Sequence, residues 1–430
     1  MLNKLFGFDP ARHSLRTEIL AGITTFITMS YILAVNPSIF AQLDGMPSGA
    51  VFTATALAAV IGTLAMALLA KLPFGLAPGM GLNAFFVYTI CLGMGYSWQF
   101  ALTAVLIEGI LFIIITLTNI REAIVNAIPE SLRYAISGGI GLFIAFIGLQ
   151  NSGIIISNPT TIVTLGDITS SNALLAMIGL LITGVMVIKG IMGALLWGMV
   201  ITALIGIPIG ITHFNGVLSA PESVAPIFCK FEWSNIFTAD MLIIVFTMLF
   251  IDMFDTIGSL VGVCTKAKML TPEGKIPNAK RAFMADAIAT TAGACLGTNT
   301  TTTYVESAAG VAQGGKTGLT SLVIACCFIL SLFFAPFFLA IPAAATAPVL
   351  IFVGLFMFEP VKNIPLNDYA EALPVFLCII LMPMAYSISE GIMIGMICYV
   401  VINLLTGKHK RLSIMMYILA MLFVMKYIFL

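Results

Sequence analysis

Residues 297–315 read GTNTTTTYVESAAGVAQGG, and residues 72–86 read LPFGLAPGMGLNAFF. Both stretches lie between long apolar runs, and neither can be a plain helix. Thr300–Thr303 are four consecutive threonines, whose branched side chains favour an extended strand. Pro73, Gly75, Pro78, Gly79 and Gly81 rule out a continuous helix in the other stretch. Extended backbone at membrane depth survives only when buried in protein or lining a cavity, because lipid offers it no hydrogen bonds. The pattern therefore predicts two short strands that pair near the midplane. Each would feed a half-helix, the second starting near Tyr304. A half-helix N-terminus carries partial positive charge and free N–H donors. It suits a planar ligand with ring nitrogens and carbonyl oxygens.

The surrounding composition is that of a membrane protein. The chain has 430 residues, 60% hydrophobic and 9% charged, with a mean hydropathy of +1.10. A soluble domain is about 25% charged, so lipid must cover this surface. The formal net charge is zero, which argues against a nucleic-acid partner. The eight cysteines form no C-x-x-C pair and no Cys/His cluster with metal spacing. His13, His213 and His409 all fall near loops, so no metal or histidine-based catalytic site is expected. The first seventeen residues lack a signal-peptide core and read as a polar entry segment.

A crossing needs about 20 mostly apolar residues. Candidate spans begin near residues 18, 50, 74, 98, 132, 171, 192, 238, 281, 298, 317, 342, 369 and 388, fourteen in all. The last stretch, 412–430, reads as an interfacial helix or a fifteenth crossing. With the N-terminus in the cytoplasm, seventeen of the nineteen basic residues, Arg121, Lys268 and Lys275 among them, fall inside, as the positive-inside rule requires. Lys230 falls outside and Lys426 is unassigned. Loops 37–49 and 151–170, both placed outside, carry no Lys or Arg. The expected location is the inner or plasma membrane.

The sequence also repeats. FTATALAAVIG from residue 52 matches FMADAIATTAG from 283, pairing Phe52 with Phe283 and Gly62 with Gly293. IPESLRYAISGGIGLFIAFIGLQN (128–151) parallels IPAAATAPVLIFVGLFMFEPVKN (341–363) with one gap, and KGIMGALLWGMVITAL (189–204) parallels EGIMIGMICYVVINLL (390–405). Seven spans per half is an odd number, so the second half enters from the opposite side. Inverted repeats of this kind mark transporters. The fold expected is thus an all-α polytopic membrane protein of fourteen segments in two inverted seven-span repeats, with short antiparallel strands in the third and tenth.

Acids inside the spans come next. The eighth span, MLIIVFTMLFIDMFDTIGSLVGV (241–263), holds Asp252 and Asp255 three apart, on one helical face. An acid at a span centre costs about 2.5–3.5 kcal/mol on insertion scales, and such residues mark ion or proton pathways. Glu306 falls in the first turn of the second half-helix, with Asn83 in the matching place of the first. Glu108 and Asp286 are second-rank candidates that could instead tie core helices together. Residues 310–317, GVAQGGKT, match a phosphate-loop pattern. The required strand, sheet and soluble domain are missing, so the glycines read as a turn at the end of the tenth span.

FGFDPARHSLRTEILAGITTFITMSYILAVNP, APGMGLNAFF, FIDMFDTIGSLVGV and GTNTTTTYVESAAGVAQGGKTGL resemble the AzgA-like purine permeases of the nucleobase–cation symporter-2 (nucleobase–ascorbate) superfamily. The resemblance covers nearly the whole chain. It implies proton-coupled import of adenine, guanine or hypoxanthine, with the proton gradient as energy source and no cofactor. It implies a core of residues 18–118 and 238–340 moving against a gate of 119–237 and 341–406. Residues 1–17 and 407–430 flank these, and relatives dimerise through the gate. By position, Glu306 would hold the base and Asp255 would couple the proton, with Asp252 in support. Ser259 stands where some relatives carry His. Gly81 and Asn83 would supply the first half-helix, Phe85 or Phe86 would stack on the ring, and Thr303 and Tyr304 would line the pocket. Thr256 and Asn299 stand behind these.

Two rival classes compete with this reading. A carrier of the same fold for uracil, xanthine or an inorganic anion predicts, in its anion form, a basic site residue; spans 3, 8 and 10 have none. An intramembrane enzyme would need a His, Lys or metal cluster beside Asp252 and Asp255, which the sequence lacks.

Overall fold

The computed structural model describes residues 2–118, 129–214, 216–266, 269 and 276–429. Arg121, Lys268 and Lys275, counted in the charge pattern, lie outside them, as does the boundary at 119.

Each expected segment is present and starts less than one helical turn from the place that hydropathy gave it. After a short α1 (Leu2–Phe6), the first span is split into α2 (Leu15–Met29) and α3 (Ile32–Phe40). The second is α4 (Ser48–Ala65), prolonged by a π turn. The third is β1 (Leu76–Pro78) and α5 (Met80–Ala84), which runs on as a π-helix to Gly93. Then come α6 (Trp98–Leu117), α7 (Glu130–Asn151), the hairpin β2–β3 (Ile155–Asn158, Ile162–Leu165), α8 (Ser171–Ile188) and α9 (Ala194–Gly206). The second half holds α10 (Ala239–Lys266), α11 (Ala279–Leu296), β4 (Thr301–Thr303), α12 (Ser307–Ala312), α13 (Gly318–Ser331) and α14 (Ala335–Leu339). It closes with α15 (Ala343–Phe358), α16 (Tyr369–Met384), α17 (Ile388–Leu405) and α18 (Ile414–Phe429).

The helix starts follow from local chemistry. Ser14, Ser97, Ser170, Thr317, Asp368 and Ser387 each accept a backbone N–H of the first turn. Pro47, Pro129 and Pro342 precede α4, α7 and α15. At 16 residues, α18 is about 24 Å long, shorter than the ~30 Å hydrocarbon core.

Among the described residues nine helices are long and apolar enough to cross a membrane. Large apolar side chains stay open on their outer faces: Ile188 is 86% exposed and Leu405 83%. Only lipid tolerates such a surface.

The two halves interleave through their equivalent parts. α4 packs on α11 and α7 on α15. β1 pairs antiparallel with β4 in the register Leu76↔Thr303, Ala77↔Thr302 and Pro78↔Thr301. The ladder continues through Gly79 N–H to the Thr300 carbonyl (2.9 Å) and Tyr304 N–H to the Gly75 carbonyl (3.0 Å). Threonines of the preceding spans close the strands' other edges. Thr63 donates to the Leu76 carbonyl (3.2 Å) and Thr290 to the Thr301 carbonyl (3.2 Å). The bilayer's demand for satisfied backbone is thus met by side chains. The hairpin β2–β3 in loop 151–170 was not foreseen; Asn158, which accepts N–H groups of Thr160 and Thr161, forms its turn.

Two packing groups emerge. One contains α2, α3, α4, α6, α10, α11 and α13 around the paired strands; the other contains α7, α8, α9, α15, α16 and α17. They meet where α5 and α10 touch α7, where α2 touches α9 and where α3 touches α15.

Candidate functional site

The strands end at acids. Glu306 stands at the cap position before α12, and its side chain makes no capping hydrogen bond. It faces α2 instead: Tyr31 Oη donates to Glu306 Oε1 at 2.6 Å. The Tyr31 ring lies 6.4 Å from that of Tyr304, centre to centre, and Tyr304 Oη donates to the Pro78 carbonyl at 2.6 Å. Asp255 lies on α10. A Cβ on Gly79 would sit 2.9 Å from Thr302 Cγ2 and 3.8 Å from Asp255 Oδ2, so glycine alone lets the first strand turn into α5 here. Asp255 and Glu306 are both partly open.

A second set of acids is sealed behind the strands. Glu108, Asp252 and Asp286 are fully buried. Thr300 donates to Glu108 Oε2 at 2.7 Å, and Thr256 donates to Asp286 Oδ2 at 2.5 Å and lies 3.4 Å from Asp252 Oδ1. Thr256 also meets Thr302 at 2.9 Å, and Thr303 donates to Asp286 Oδ1 at 3.5 Å. These bonds tie β4 to α6, α10 and α11. Asp252 and Asp255, expected on one face, are thus divided: positions three apart differ by about 60° around a helix. That angle is enough to turn one inward and leave the other partly open.

The remaining candidates are placed as follows. Asn83 is buried and accepts from Asn299 Nδ2 at 3.0 Å, so these two meet each other. Phe85 and Phe86 are fully enclosed, and the Phe86 ring packs tilted against Phe40 at 5.1 Å. Ser259 is buried on α10. A Cβ on Gly81 would lie 2.7 Å from Ile140 Cγ2 of α7. The half-helix therefore touches the other packing group there. The free N–H donors expected on the second half-helix are in use: those of Ser307, Ala308 and Ala309 bond the carbonyls of Tyr304, Val305 and Glu306. A tight turn, not an open helix end, precedes α12. The phosphate-loop look-alike is filled as well. Glu18 accepts the N–H groups of Lys316 (3.2 Å) and Thr317 (3.3 Å), so a carboxylate of the chain occupies the anion position.

Sequence reasoning missed Tyr31, Gly79, Thr302 and Ser307, whose Oγ accepts the Gly75 N–H at 3.0 Å. Tyr31 had a signal: a buried tyrosine keeps a polar tip that needs a partner.

A lipid-covered bundle whose unwound segments cross at mid-depth beside two partly open acids is a multi-pass membrane carrier, not an enzyme. Residues 16–394 match the Permease family (Xan_ur_permease), and the chain belongs to that family. It is 43% identical to the guanine/hypoxanthine permease PbuG of Bacillus subtilis, over the whole of both chains. It is 38% identical to the adenine permease AdeP of Escherichia coli, over 100% of this chain and 96% of that one. Among solved structures, the transmembrane domain of a cyanobacterium bicarbonate transporter, BicA, superposes with a TM-score of 0.66 at 16% identity. The match covers 89% of this chain and 98% of that one. This last likeness concerns the fold alone. The nucleobase–ascorbate resemblance read from the sequence holds.

Proposed function

We propose that the protein imports purine nucleobases together with protons across the cell membrane, with its N-terminus in the cytoplasm. The relatives' names support the substrate class, guanine and hypoxanthine in one case and adenine in another. One observation carries the site. Of the acids around the strands, Asp255 and Glu306 are partly open, whereas Glu108, Asp252 and Asp286 are sealed. Glu306 would accept the base's N–H groups, and Asp255 would carry the proton. The strand-bearing group, residues 18–118 and 238–340, would act as core. It would slide against the gate of 119–237 and 341–406, with Gly81 at the seam. A homodimer would form through the gate.

The test is uptake of labelled hypoxanthine, guanine and adenine in cells lacking their own carriers, with and without an uncoupler. Uptake indifferent to the uncoupler would sink the coupling. Full uptake by Glu306→Ala would sink the site. Preference for uracil, xanthine or an inorganic anion over all purines would favour the rival carrier of the same fold.

A further inference from the structure

We propose that Tyr31 is a positioning residue for the substrate, setting the carboxylate of Glu306 for the base edge; the inference rests on the nucleobase reading above. Tyr31 is 1% exposed and sits at the break between α2 and α3. Its carbonyl is held there by the N–H groups of Ala34 (3.1 Å) and Val35 (3.0 Å). The phenol therefore projects from a fixed point. Its one proton goes to Glu306 Oε1 at 2.6 Å. Thr28 Oγ1 of α2, whose proton goes to the Thr25 carbonyl at 2.8 Å, lies 3.4 Å from the Glu306 carbonyl, so α2 packs closely on this turn.

Glu306 needs such a guide. It stands on a turn before a helix of six residues, caps no following N–H, and among the described residues has, besides Tyr31, only its own backbone N–H as donor. Left alone, its three side-chain torsions would spread over several rotamers, and binding would have to freeze them. The phenol fixes one oxygen and thereby the plane of the group. A planar base with N–H donors on its edge then meets an acceptor already in line. Because the phenol donates, it favours Glu306 as an acceptor, the role that an N–H edge requires.

The test is Tyr31→Phe, which keeps ring and volume and removes only the donor. Having to order the freed carboxylate on binding should raise the KM for hypoxanthine about three- to tenfold. Vmax should stay within about twofold, while the ligand-free melting temperature should fall modestly, because this hydrogen bond exists without substrate. Should less of the variant reach the membrane, the hypoxanthine Kd of the purified protein, which does not depend on amount, gives the same reading. Unchanged KM and Kd would overturn the proposal. So would a fall in Vmax and melting temperature with KM unchanged, the signature of a merely structural tyrosine. A wild type that binds no purine would sink the nucleobase reading instead. In that case the infrared carboxyl band that Glu306→Gln removes must still shift in ligand-free Tyr31→Phe, and a stationary band would overturn the positioning role on its own.

Discussion

Gly141 of α7 and Gly354 of α15 lie back to back, each with its missing Cβ 2.4 Å from the other's carbonyl oxygen. They are also equivalent by sequence, both opening a Gly-Leu-Phe triplet in the repeated segments. The internal symmetry axis therefore passes through a crossing that admits no side chain from either helix.

Gly354→Ala should push the two helices apart. We expect a loss of about 1–3 kcal/mol, read as a lowered melting temperature in detergent. Gly258→Ala, where a Cβ meets nothing within 4 Å among the described residues, should leave it unchanged or raise it slightly. Equal melting of both variants would contradict the close crossing.

Openness should separate the acids chemically. In a cysteine-free background, Asp255→Cys and Glu306→Cys should react with a small hydrophilic thiol reagent and be protected by hypoxanthine. Glu108→Cys and Asp252→Cys should stay unlabelled, since those positions are fully buried. Rapid labelling at Asp252 would undo the division drawn between the two aspartates of α10.

Thr290→Val should remove the hydroxyl that closes the outer edge of β4. The Thr301 carbonyl would be left without its side-chain donor in a dry setting, at about 1–3 kcal/mol. Thermal unfolding should show that loss, and hydrogen exchange at Thr302 and Thr303 should quicken. No change in either would mean that another donor takes over.

Outside the spans, Lys408 (2.9 Å) and Arg411 (2.7 Å) bind the two oxygens of Asp368. Hydrogen bonds from Arg411 and Lys408 hold this carboxyl well below the usual carboxylate range. A depressed pKa contributes stability that is complete above the unfolded value near 3.9 and is lost as pH falls below it. The melting-temperature gap between wild type and Asp368→Asn should therefore be constant from neutral pH to about 5 and shrink on further acidification. The groups are half-open, so the gap should be small and fall with salt. A gap that widened in acid would reverse the sign of this linkage.

Much of the fold was legible because the bilayer imposes simple rules. Apolar length gave the spans, Pro73 to Gly81 and the threonine run gave the unwound strands, and the odd span count gave the inversion. The pairing of β1 with β4 followed from the need to satisfy backbone in lipid. The site was legible in part. Asp255 and Glu306 stood out as acids in apolar runs. Yet so did Asp252, Glu108 and Asp286, and periodicity could not tell a 60° turn inward from one outward. Tyr31 was hidden because its partner lies 275 residues away, and Gly79 because only the other strand explains it.

The cross-strand pairing also bears on how the chain is made. Gly75 waits for Ser307, a partner 232 residues further along. At about 5–20 residues per second, that is roughly ten to fifty seconds of synthesis. Through that interval the third segment has no mate for its ladder and cannot rest in lipid alone. The insertion machinery, or the chain's own earlier helices, must shelter it until the tenth emerges. A ribosome that stalls midway would leave a fragment that the membrane cannot accept, so half of this carrier is not a smaller carrier but a substrate for quality control.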